Sequence, residues 1–569
     1  MNGLPGEEVS MNLHRYFSDR KLINLNLKNP KSDMKNLYKS ILILILGCCL
    51  IINSSGQASG QLPRSTPEQE GISSKGIIDF INAIDTGKTE IHSFMFVRHG
   101  KVVAEGWWDP YGPDLKHIMY SASKTFTATA IGLAVSENRL NLTDKVVTFF
   151  PASLPDTISD LMKMMTVKDL LMMSTGIPAE PRIGQDDEWV RSFLSRSPSV
   201  KPGTIFKYYN SATFMLSAII QQVTGETLFN YLQPRIFKPL EIKGIDWDLN
   251  PQGINLGLMG LRLKTEDMAK FGQLLLQKGK WNGKQLVPEE WVKEATSFKI
   301  KSEGGTANTP PELNDWVQGY CYQMWRGRNN SVRLDGMAGQ FVILLPEKDA
   351  IVVLTANAAN TQKELDLIWN YLFPAIKDNN PLASNPEAIA ELKRKLASLS
   401  IKTTADPSQD SPLQAKISGK NVVFSDNTFG IQGIGFKFYN DICELSVKRD
   451  NVSYTIKFGK DTWLHSNTGL TSLLSAPRPT SKSIDANYSI LHPVIRPAGY
   501  YTWTDNNTLD FTARFVEESL GSEGVIIKFS EEDGGINVNL TRKGGRGPAV
   551  GQGVQAVPVV LTGKIISSS

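Results

Sequence analysis

The spacing of apolar residues changes between residues 379 and 412, and this change most constrains how the chain can fold. Before it, long helical patterns alternate with strand patterns; after it, only short alternating runs remain, separated by Asn, Asp and Gly turns. The first pattern is typical of an α+β domain, and the second of an all-β sandwich or barrel. The sequence therefore predicts a first domain at 62–378 and a C-terminal β domain at 413–569. Residues 379–412 read as a helix followed by a linker rich in Ser, Thr, Asp and Pro.

Strand patterns of the first domain lie near both of its ends. Residues 93–108 alternate apolar and polar side chains around His99-Gly100, and residues 319–326, 333–345 and 350–356 also read as strands. Helical patterns lie outside them at each end of the domain. This arrangement predicts one antiparallel sheet that is flanked by helices and receives strands from both termini.

The N-terminal residues have the pattern of an export signal. Residues 1–33 are polar and mixed, and we expect them to be disordered or a non-native extension of the reading frame. Residues 34–56 have a basic start, an apolar core and small residues at the end, as a signal peptide does. The apolar core is too short for a stable membrane span. We therefore expect a periplasmic or extracellular protein that begins near Gln57, with lipid anchoring at Cys48 as the alternative.

Composition excludes several classes of function. The net charge of +4 in 569 residues does not indicate a nucleic-acid partner. The six histidines are scattered, so we predict no metal site, and we expect no cofactor. The mature chain keeps only Cys321 and Cys443, which fall in different predicted domains, so no disulfide is expected. We expect a small-molecule substrate, and no feature of the sequence indicates the oligomeric state.

A nucleophile and a base lie one helical turn apart at Ser121 and Lys124. A run of good helix residues, Thr127 to Val135, follows them. Residues three apart share a helix face, so the amine of Lys124 can reach the hydroxyl of Ser121. A partly buried lysine can lose its proton and activate a serine, while the helix N-terminus adds a partial positive charge near the attacking oxygen. Ser-x-x-Lys also occurs at Ser18 and Ser32, so the context and not the spacing alone distinguishes Ser121.

A second candidate motif is Tyr208-x-Asn210, which occurs once in the chain. A tyrosine near the nucleophile can share a proton with the lysine and then protonate the leaving group. An asparagine amide can orient the lysine or the substrate carbonyl. An amphipathic helical pattern, Ser211 to Thr224, follows the motif and predicts that both side chains lie at a helix start.

Together these motifs resemble those of the serine β-lactamase and penicillin-binding-protein superfamily, above all its class C-like branch of esterases, D-aminopeptidases and nylon-oligomer hydrolases. The matching stretches, in order, are Tyr120-Ser121-x-Ser123-Lys124-Thr125-Phe126, Leu142-x-Asp144-Lys145-Val146, Thr166-Val167-x-Asp169-Leu170-Leu171, Pro202-Gly203-x-x-Phe206-x-Tyr208-x-Asn210 and Gly336-Met337-Ala338-Gly339-Gln340. The resemblance covers residues 63–375 and implies a β-lactamase/transpeptidase-like fold. Because the motif set is complete before residue 345, we expect the first domain to fold and react without the second.

The resemblance implies an exported serine hydrolase that works through an acyl-enzyme. It assigns Ser121 as the nucleophile, Lys124 as the general base and Tyr208 as the proton shuttle, with Asn210 in support. It places the oxyanion hole at the backbone N–H groups of Ser121 and Gln340.

The third motif departs from the family's pattern. β-Lactamases and D,D-peptidases carry Lys-Thr-Gly or His-x-Gly there, whereas this chain has Met337-Ala338-Gly339 and no Lys-Thr-Gly anywhere. The cation normally meets a substrate carboxylate, so its loss predicts a small neutral ester or amide as substrate. A methionine thioether suits an apolar surface instead. We expect Met337, Gly339 and Trp325 to contact the substrate, together with Asn210.

Other functions stay open at this point. Arg326, Arg328 or Arg333 could replace the missing cation, which would restore a β-lactamase or D,D-peptidase. An alcohol could replace water in the second step, which would give an acyltransferase. A non-catalytic ligand-binding member of the fold is disfavoured by the retained Ser121 and Lys124. The chain has no Gly-x-Ser-x-Gly, so a Ser-His-Asp hydrolase is not indicated.

Overall fold

Helices and strands are mixed in the first domain, as expected for an α+β fold. The structure, a computed structural model, describes residues 60–180, 188–304, 309–378, 381–403, 410–427, 429–470, 472–473, 495–532, 535–544 and 560–566. The predicted extension 1–33, the signal peptide 34–56 and Cys48 lie outside these residues, as does most of the linker.

Thirteen α-helices are found in the described ranges, besides short 3₁₀ and π segments. They are α1 Ser74–Gly87, α2 Lys124–Ser136, α3 Asp160–Met164, α4 Val167–Leu171, α5 Trp189–Leu194, α6 Asn210–Thr224, α7 Leu228–Leu232, α8 Thr265–Leu276, α9 Glu289–Thr296, α10 Thr361–Leu367, α11 Phe373–Ala375, α12 Pro386–Ala397 and α13 Leu413–Ile417. The motif at Thr166 and Asp169 is a capping box, in which each side chain accepts a hydrogen bond from the other residue's backbone and so fixes the start of α4. None of these helices is long and apolar enough to cross a membrane.

Six strands of the first domain form one antiparallel sheet in the order β2-β1-β11-β10-β9-β8. The domain's strands are β1 Ile91–Arg98, β2 Lys101–Trp107, β3 His117–Ile118, β4 Asp246–Trp247, β5 Leu261–Leu263, β6 Lys280–Trp281, β7 Lys284–Gln285, β8 Trp325–Arg326, β9 Val332–Gly336, β10 Gln340–Leu345 and β11 Ala350–Ala356. The N-terminal strand β1 pairs with the late strand β11, with Met95 opposite Val353. The prediction of one antiparallel sheet built from both ends of the domain is confirmed.

The sheet separates two apolar cores. On β1, Met95 and Val97 belong to one core, while Phe94 and Phe96 belong to the other. Successive side chains of a strand point to opposite faces, so a strand buried on both faces supplies both cores. Helix α8 covers the first face, and α1 covers the second. The site described below is built on the α8 side.

One strand prediction was too long. The run from Gly319 to Arg326 reads as a strand, but only Trp325–Arg326 pairs with β9. Gln323 has a φ of 59°, which interrupts an extended conformation, and its side-chain amide donates to the Leu170 and Leu171 carbonyls. Tertiary hydrogen bonds thus override the local pattern.

The second domain is a closed β-barrel. Its strands are β12 Lys420–Phe424, β13 Ile431–Tyr439, β14 Ile442–Arg449, β15 Val452–Lys460, β16 Leu464–His465, β17 Pro497–Asp505, β18 Thr508–Phe515, β19 Glu523–Glu532, β20 Gly535–Gly544 and β21 Val560–Ile566. Neighbouring strands pair antiparallel in the order β15-β14-β13-β12-β21-β20-β19-β18-β17. A parallel pairing of β15 with β17 then closes the ring. Nine strands therefore enclose a core of side chains, and the short strand β16 pairs with β17 beside the residues that pair with β15.

The barrel contacts the first domain through the connection between β18 and β19, residues 516–522, which we call the barrel loop. Val516 and Leu520 in this loop are fully buried. Beside it, Arg514 donates to both carboxylate oxygens of Glu90, at 2.9 and 3.1 Å. The chain from Leu62 onward forms one compact unit.

Candidate active site

Ser121 lies in a short 3₁₀ turn, Tyr120–Ser123, that leads directly into α2. Tyr120 has a φ of 45°, in the left-handed region that costs free energy for a residue with a side chain. The end of β9 approaches this turn closely: a Cβ on Gly336 would lie 2.3 Å from the carbonyl oxygen of Met119. Glycine is therefore needed at 336, and the turn that carries the serine rests against the end of the sheet.

Lys124 is the first residue of α2, and its side chain is almost completely buried. Its Nζ lies 3.0 Å from Ser121 Oγ, 2.9 Å from Asn210 Oδ1 and 2.8 Å from the carbonyl oxygen of Leu258. Burial disfavours the charged ammonium and lowers the pKa of Lys124 to about 7. A substantial fraction of the amine is therefore neutral at neutral pH.

These contacts determine where the lone pair of a neutral Lys124 points. A neutral amine has two N–H bonds and one lone pair, whereas the amide oxygen of Asn210 and the carbonyl of Leu258 can only accept. The two N–H bonds therefore go to those acceptors, and the lone pair is left to accept the hydroxyl proton of Ser121. This geometry can activate the serine as a nucleophile.

Asn210 is the first residue of α6 and connects Lys124 to Glu180. Its Nδ2 donates to Glu180 Oε2 at 3.2 Å, and Oε1 of the same carboxylate accepts the backbone N–H of Ser211 at 2.6 Å. A carboxylate at a helix N-terminus is favourable because of the helix dipole. Because the carboxylate only accepts, it orients the Asn210 amide so that Oδ1 faces Lys124. The negative charge of Glu180 also raises the pKa of Lys124 and partly opposes the effect of burial.

Tyr208 lies between the nucleophile and a group of aromatic rings. Its ring stacks on Trp325, with centroids 5.8 Å apart and planes 20° apart, and meets Tyr320 edge-on at 6.5 Å. Lys124 Nζ lies 5.0 Å from the Tyr208 ring centroid. Burial raises the pKa of Tyr208, while a hydrogen bond with the Ser121 side chain lowers it, and the phenol stays protonated at neutral pH. Trp325, expected to contact the substrate, is buried against Tyr208.

Met337, Ala338 and Gly339 form the turn between β9 and β10. Met337 is 49% exposed, whereas Ala338 and Gly339 are buried. The buried side chain of Gln340 donates to the carbonyl oxygens of Met337 at 2.7 Å and Ala356 at 2.9 Å, which holds the turn on the sheet. The backbone of Gln340 pairs with Gly336 across the hairpin. Of these residues, Met337 offers the most accessible surface to a ligand.

The sequence reasoning missed three groups around Lys124. Glu180 follows a turn and Leu258 acts through its backbone, so neither carries a recognisable side-chain pattern. Asp335 immediately precedes the third-motif stretch; its carboxylate accepts from Arg333 Nε at 2.9 Å, and its charge raises the pKa of Lys124. Two carboxylates thus act electrostatically on the lysine.

The three arginines near the third motif are engaged by other groups. Their partners are Asn330 for Arg326, Asp315 for Arg328 and Asp335 for Arg333. Arg328 and Arg333 already neutralise carboxylates and therefore attract a substrate carboxylate less strongly, which disfavours them as replacements for the missing lysine. Arg326 contacts the uncharged Asn330 amide and the Thr296 carbonyl, which engage its N–H groups without neutralising its charge.

The β-lactamase family profile matches residues 87–374, which is half of the chain. A 6-aminohexanoate-dimer hydrolase from Paenarthrobacter ureafaciens is 22% identical over 282 residues, covering 46% of this chain and 71% of that protein. Protein flp from Staphylococcus aureus (strain MW2) is 30% identical over 169 residues, covering 26% of this chain and 33% of that protein. A penicillin-binding protein homologue from Pyrococcus abyssi covers 82% of this chain with 16% identity and a TM-score of 0.42. With a family profile that spans half its length, the chain belongs to the β-lactamase family.

Proposed function

We propose that the protein is an exported serine hydrolase that cleaves a small neutral ester or amide through an acyl-enzyme on Ser121. The observation that carries this proposal is the surroundings of Lys124. Two acceptors hold its N–H bonds, and the third contact of Nζ is the hydroxyl of Ser121, at 3.0 Å. A lysine with a pKa of about 7 is suited to act as a general base near neutral pH.

In the first step, Ser121 Oγ attacks the substrate carbonyl while its proton passes to Lys124 Nζ. A backbone pair, the N–H groups of Ser121 and Gln340, is our proposal for the oxyanion hole, in which each donor is worth roughly 3 kcal/mol of the barrier. Tyr208 then passes a proton to the leaving alcohol or amine, drawing on the proton held by Lys124. Water attacks the acyl-enzyme with the same groups in reverse roles.

The charges around the site support an uncharged substrate. Asp335 and Glu180 both act on Lys124, and Met337 stands where a cation is found in relatives that bind carboxylates. A substrate carboxylate that loses its hydration beside Met337 would gain no compensating charge from that side chain. One relative is named for the 6-aminohexanoate dimer, and we therefore keep amides beside esters in the proposal.

Export is the second part of the proposal. It is supported by the signal-peptide pattern of residues 34–56, which lies outside the described residues. N-terminal sequencing of the protein recovered outside the cytoplasm should start near Gln57. Recovery of a chain that still carries residues 1–33 would contradict it, and a lipid on Cys48 would favour the anchored alternative.

Intact-protein mass spectrometry tests the chemistry directly. The full-length protein is incubated with p-nitrophenyl esters, with D-amino amides and with a chromogenic cephalosporin, and the adduct is mapped by peptide analysis. We expect an ester-derived acyl group on Ser121 and none in Ser121→Ala. An adduct on another residue, or none from any ester or amide, would overturn the proposal.

A further inference from the structure

The barrel loop, residues 516–522, is buried although it connects two strands at the end of a barrel. Connections of this kind normally run over the surface, because their backbone polar groups need water. Here Val516 and Leu520 are inaccessible to solvent, and the side chains of Glu517 and Ser519 are also buried. The first domain supplies the groups that cover the loop.

Leu520 connects the barrel to two turns of the active site. It forms one apolar cluster with Ile118 and Ala338, against which Tyr120 also packs. Tyr120 immediately precedes the nucleophile Ser121, and Ala338 lies in the third-motif turn. One side chain of the barrel therefore belongs to the apolar cluster that both turns share.

Both of these turns contain a strained residue. The φ angles of Tyr120 and Ala338 are 45° and 59°, in the left-handed region that residues with a side chain rarely adopt. Such conformations persist only where the surrounding structure holds them in place. Leu520 shares an apolar cluster with Ala338, Tyr120 packs against that cluster, and Leu520 comes from a different domain.

Charged groups fix the loop at the strand that leads into the nucleophile turn. Glu518 accepts from Arg262 Nε at 2.9 Å, and Arg262, on β5, is buried. Strand β5 pairs with β3, where Ile118 lies opposite Arg262. Glu517 accepts the backbone N–H of Lys116 at 3.0 Å, one residue before β3 begins. Two consecutive glutamates that precede Leu520 thus anchor the loop at the start of β3 and on β5.

We propose that the barrel loop is a positioning element of the active site, in which Leu520 holds Tyr120 and Ala338 in the strained conformations that place Ser121 opposite the third-motif turn. This inference rests on the proposed function, because it assigns the loop a part in acylation. It gives the β domain a role that the sequence did not suggest. It also accounts for a buried loop that barrel closure alone does not require.

The test uses full-length Leu520→Ala, Leu520→Met and, as a matched control, Leu540→Ala. Leu540 is equally buried but lies in the barrel core, away from the site. Melting temperature and the rate of p-nitrophenol release in a single turnover of p-nitrophenyl acetate are measured for each. We expect Leu520→Ala to slow acylation by about 10²-fold, the loss that a misplacement of roughly 1 Å can cause. Leu540→Ala should lower the melting temperature without slowing acylation, and Leu520→Met should restore most of the rate.

The outcomes separate the two proposals. A wild-type protein that forms no adduct overturns the acyl-enzyme and with it the role of the loop. A reactive wild type with an unchanged rate in folded Leu520→Ala overturns the positioning role alone, as does an equal loss of rate in Leu540→Ala. If Leu520→Ala does not fold, Leu520→Val is used instead, because it changes the side-chain volume less. An acylation rate of Leu520→Val equal to that of the wild type then overturns the role of the loop.

Discussion

The carboxyl group of Glu364 occupies the space that a side chain at residue 339 would need. A Cβ on Gly339 would lie 1.9 Å from Glu364 Oε2, and Gly339 itself has a φ of 96°. Glycine is therefore required there by packing and by backbone conformation, whether or not it contacts a substrate. Within the described structure, neither carboxyl oxygen of Glu364 has a hydrogen-bond partner.

Replacing Glu364 with glutamine should change how stability depends on pH. Burial, and secondarily the charge of Asp335, raise the pKa of Glu364 well above 4.5, so the folded protein holds a proton that the unfolded chain releases. The contribution of Glu364 to the free energy of unfolding is fully present below about pH 4.5. It decreases as the pH rises, by up to about 1.4 kcal/mol per pH unit. The denaturation midpoint is measured at about pH 5 and at about pH 8. Its decrease between these two pH values should be smaller in Glu364→Gln than in the wild type. The exposed Glu387→Gln is the control, and equal pH dependence in wild type and Glu364→Gln would contradict the prediction.

Glu180→Gln should shift the pH profile of the reaction. The carboxylate raises the pKa of Lys124, so removal of its charge should lower that pKa below its value of about 7. Since the neutral amine is the active form, the acid limb of kcat/KM should move to lower pH. Steady-state rates between about pH 5 and pH 9 measure the shift. Glu312→Gln, on the surface, should leave the limb in place, and a shift to higher pH in Glu180→Gln would contradict the electrostatic interpretation.

Tyr208→Phe should lower kcat by about 10²- to 10⁴-fold, the range typical of a lost acid–base group. The phenyl ring retains the stacking on Trp325, so the melting temperature should change little. Tyr320→Phe removes a hydroxyl from the neighbouring ring and should retain most of the activity. If both variants lose the same activity, the loss is not specific to the Tyr208 hydroxyl, which would contradict its role in proton transfer.

Met337→Lys should change the preference between substrates. We expect the wild type to cleave a p-nitrophenyl ester far better than a chromogenic cephalosporin, because Met337 offers no charge to the cephalosporin carboxylate. The added ammonium should raise kcat/KM for the cephalosporin by about tenfold or more, which is about 1.4 kcal/mol of binding. Met337→Gln adds polarity without charge and serves as the control. A wild type that prefers the cephalosporin would show that carboxylates are accommodated by another route.

A chain that ends at Lys377 should be poorly soluble or inactive, contrary to what the order of motifs suggested. Without the barrel, the apolar cluster around Ile118 and Ala338 would be exposed, and Glu90 would lose Arg514. Light scattering measures the solubility of the shortened chain and ester hydrolysis measures its activity, each in comparison with the full-length protein. A soluble, fully active shortened protein would support independence of the first domain.

The sequence predicted the parts of the fold that depend on local patterns. Period-two alternation located β1 and β2, the apolar run 350–356 located β11, and the three-residue spacing put Lys124 within reach of Ser121. The proximity of Tyr208 came from the family resemblance and not from the residues themselves. Alternation could not distinguish a sandwich from a barrel, because closure depends on one short parallel pairing, of Gly459 with Tyr500 and Lys460 with Tyr501.

The groups that the sequence did not indicate act through long-range contacts. Leu258 offers only a backbone carbonyl to Lys124. Nothing in the sequence around Glu180 links it to the site, because its contact with Asn210 at the start of α6 exists only in the folded chain. Leu520 lies in an unremarkable loop of another domain. A single sequence carries no local signal for such contacts, because their physical meaning depends on neighbours that folding brings together.

The strand pairing that closes the barrel also determines how late in synthesis the barrel can form. Strand β12 pairs with β21, so the ring cannot be completed until residues near 566 have left the ribosome. Contacts between residues so distant in sequence form slowly, because a long stretch of chain must first be ordered. Under the positioning role proposed above, the nucleophile turn gains its contact with the barrel loop only after the barrel has formed. We therefore expect a chain that lacks its last strands to contain Ser121, Lys124 and Tyr208 but to be acylated slowly.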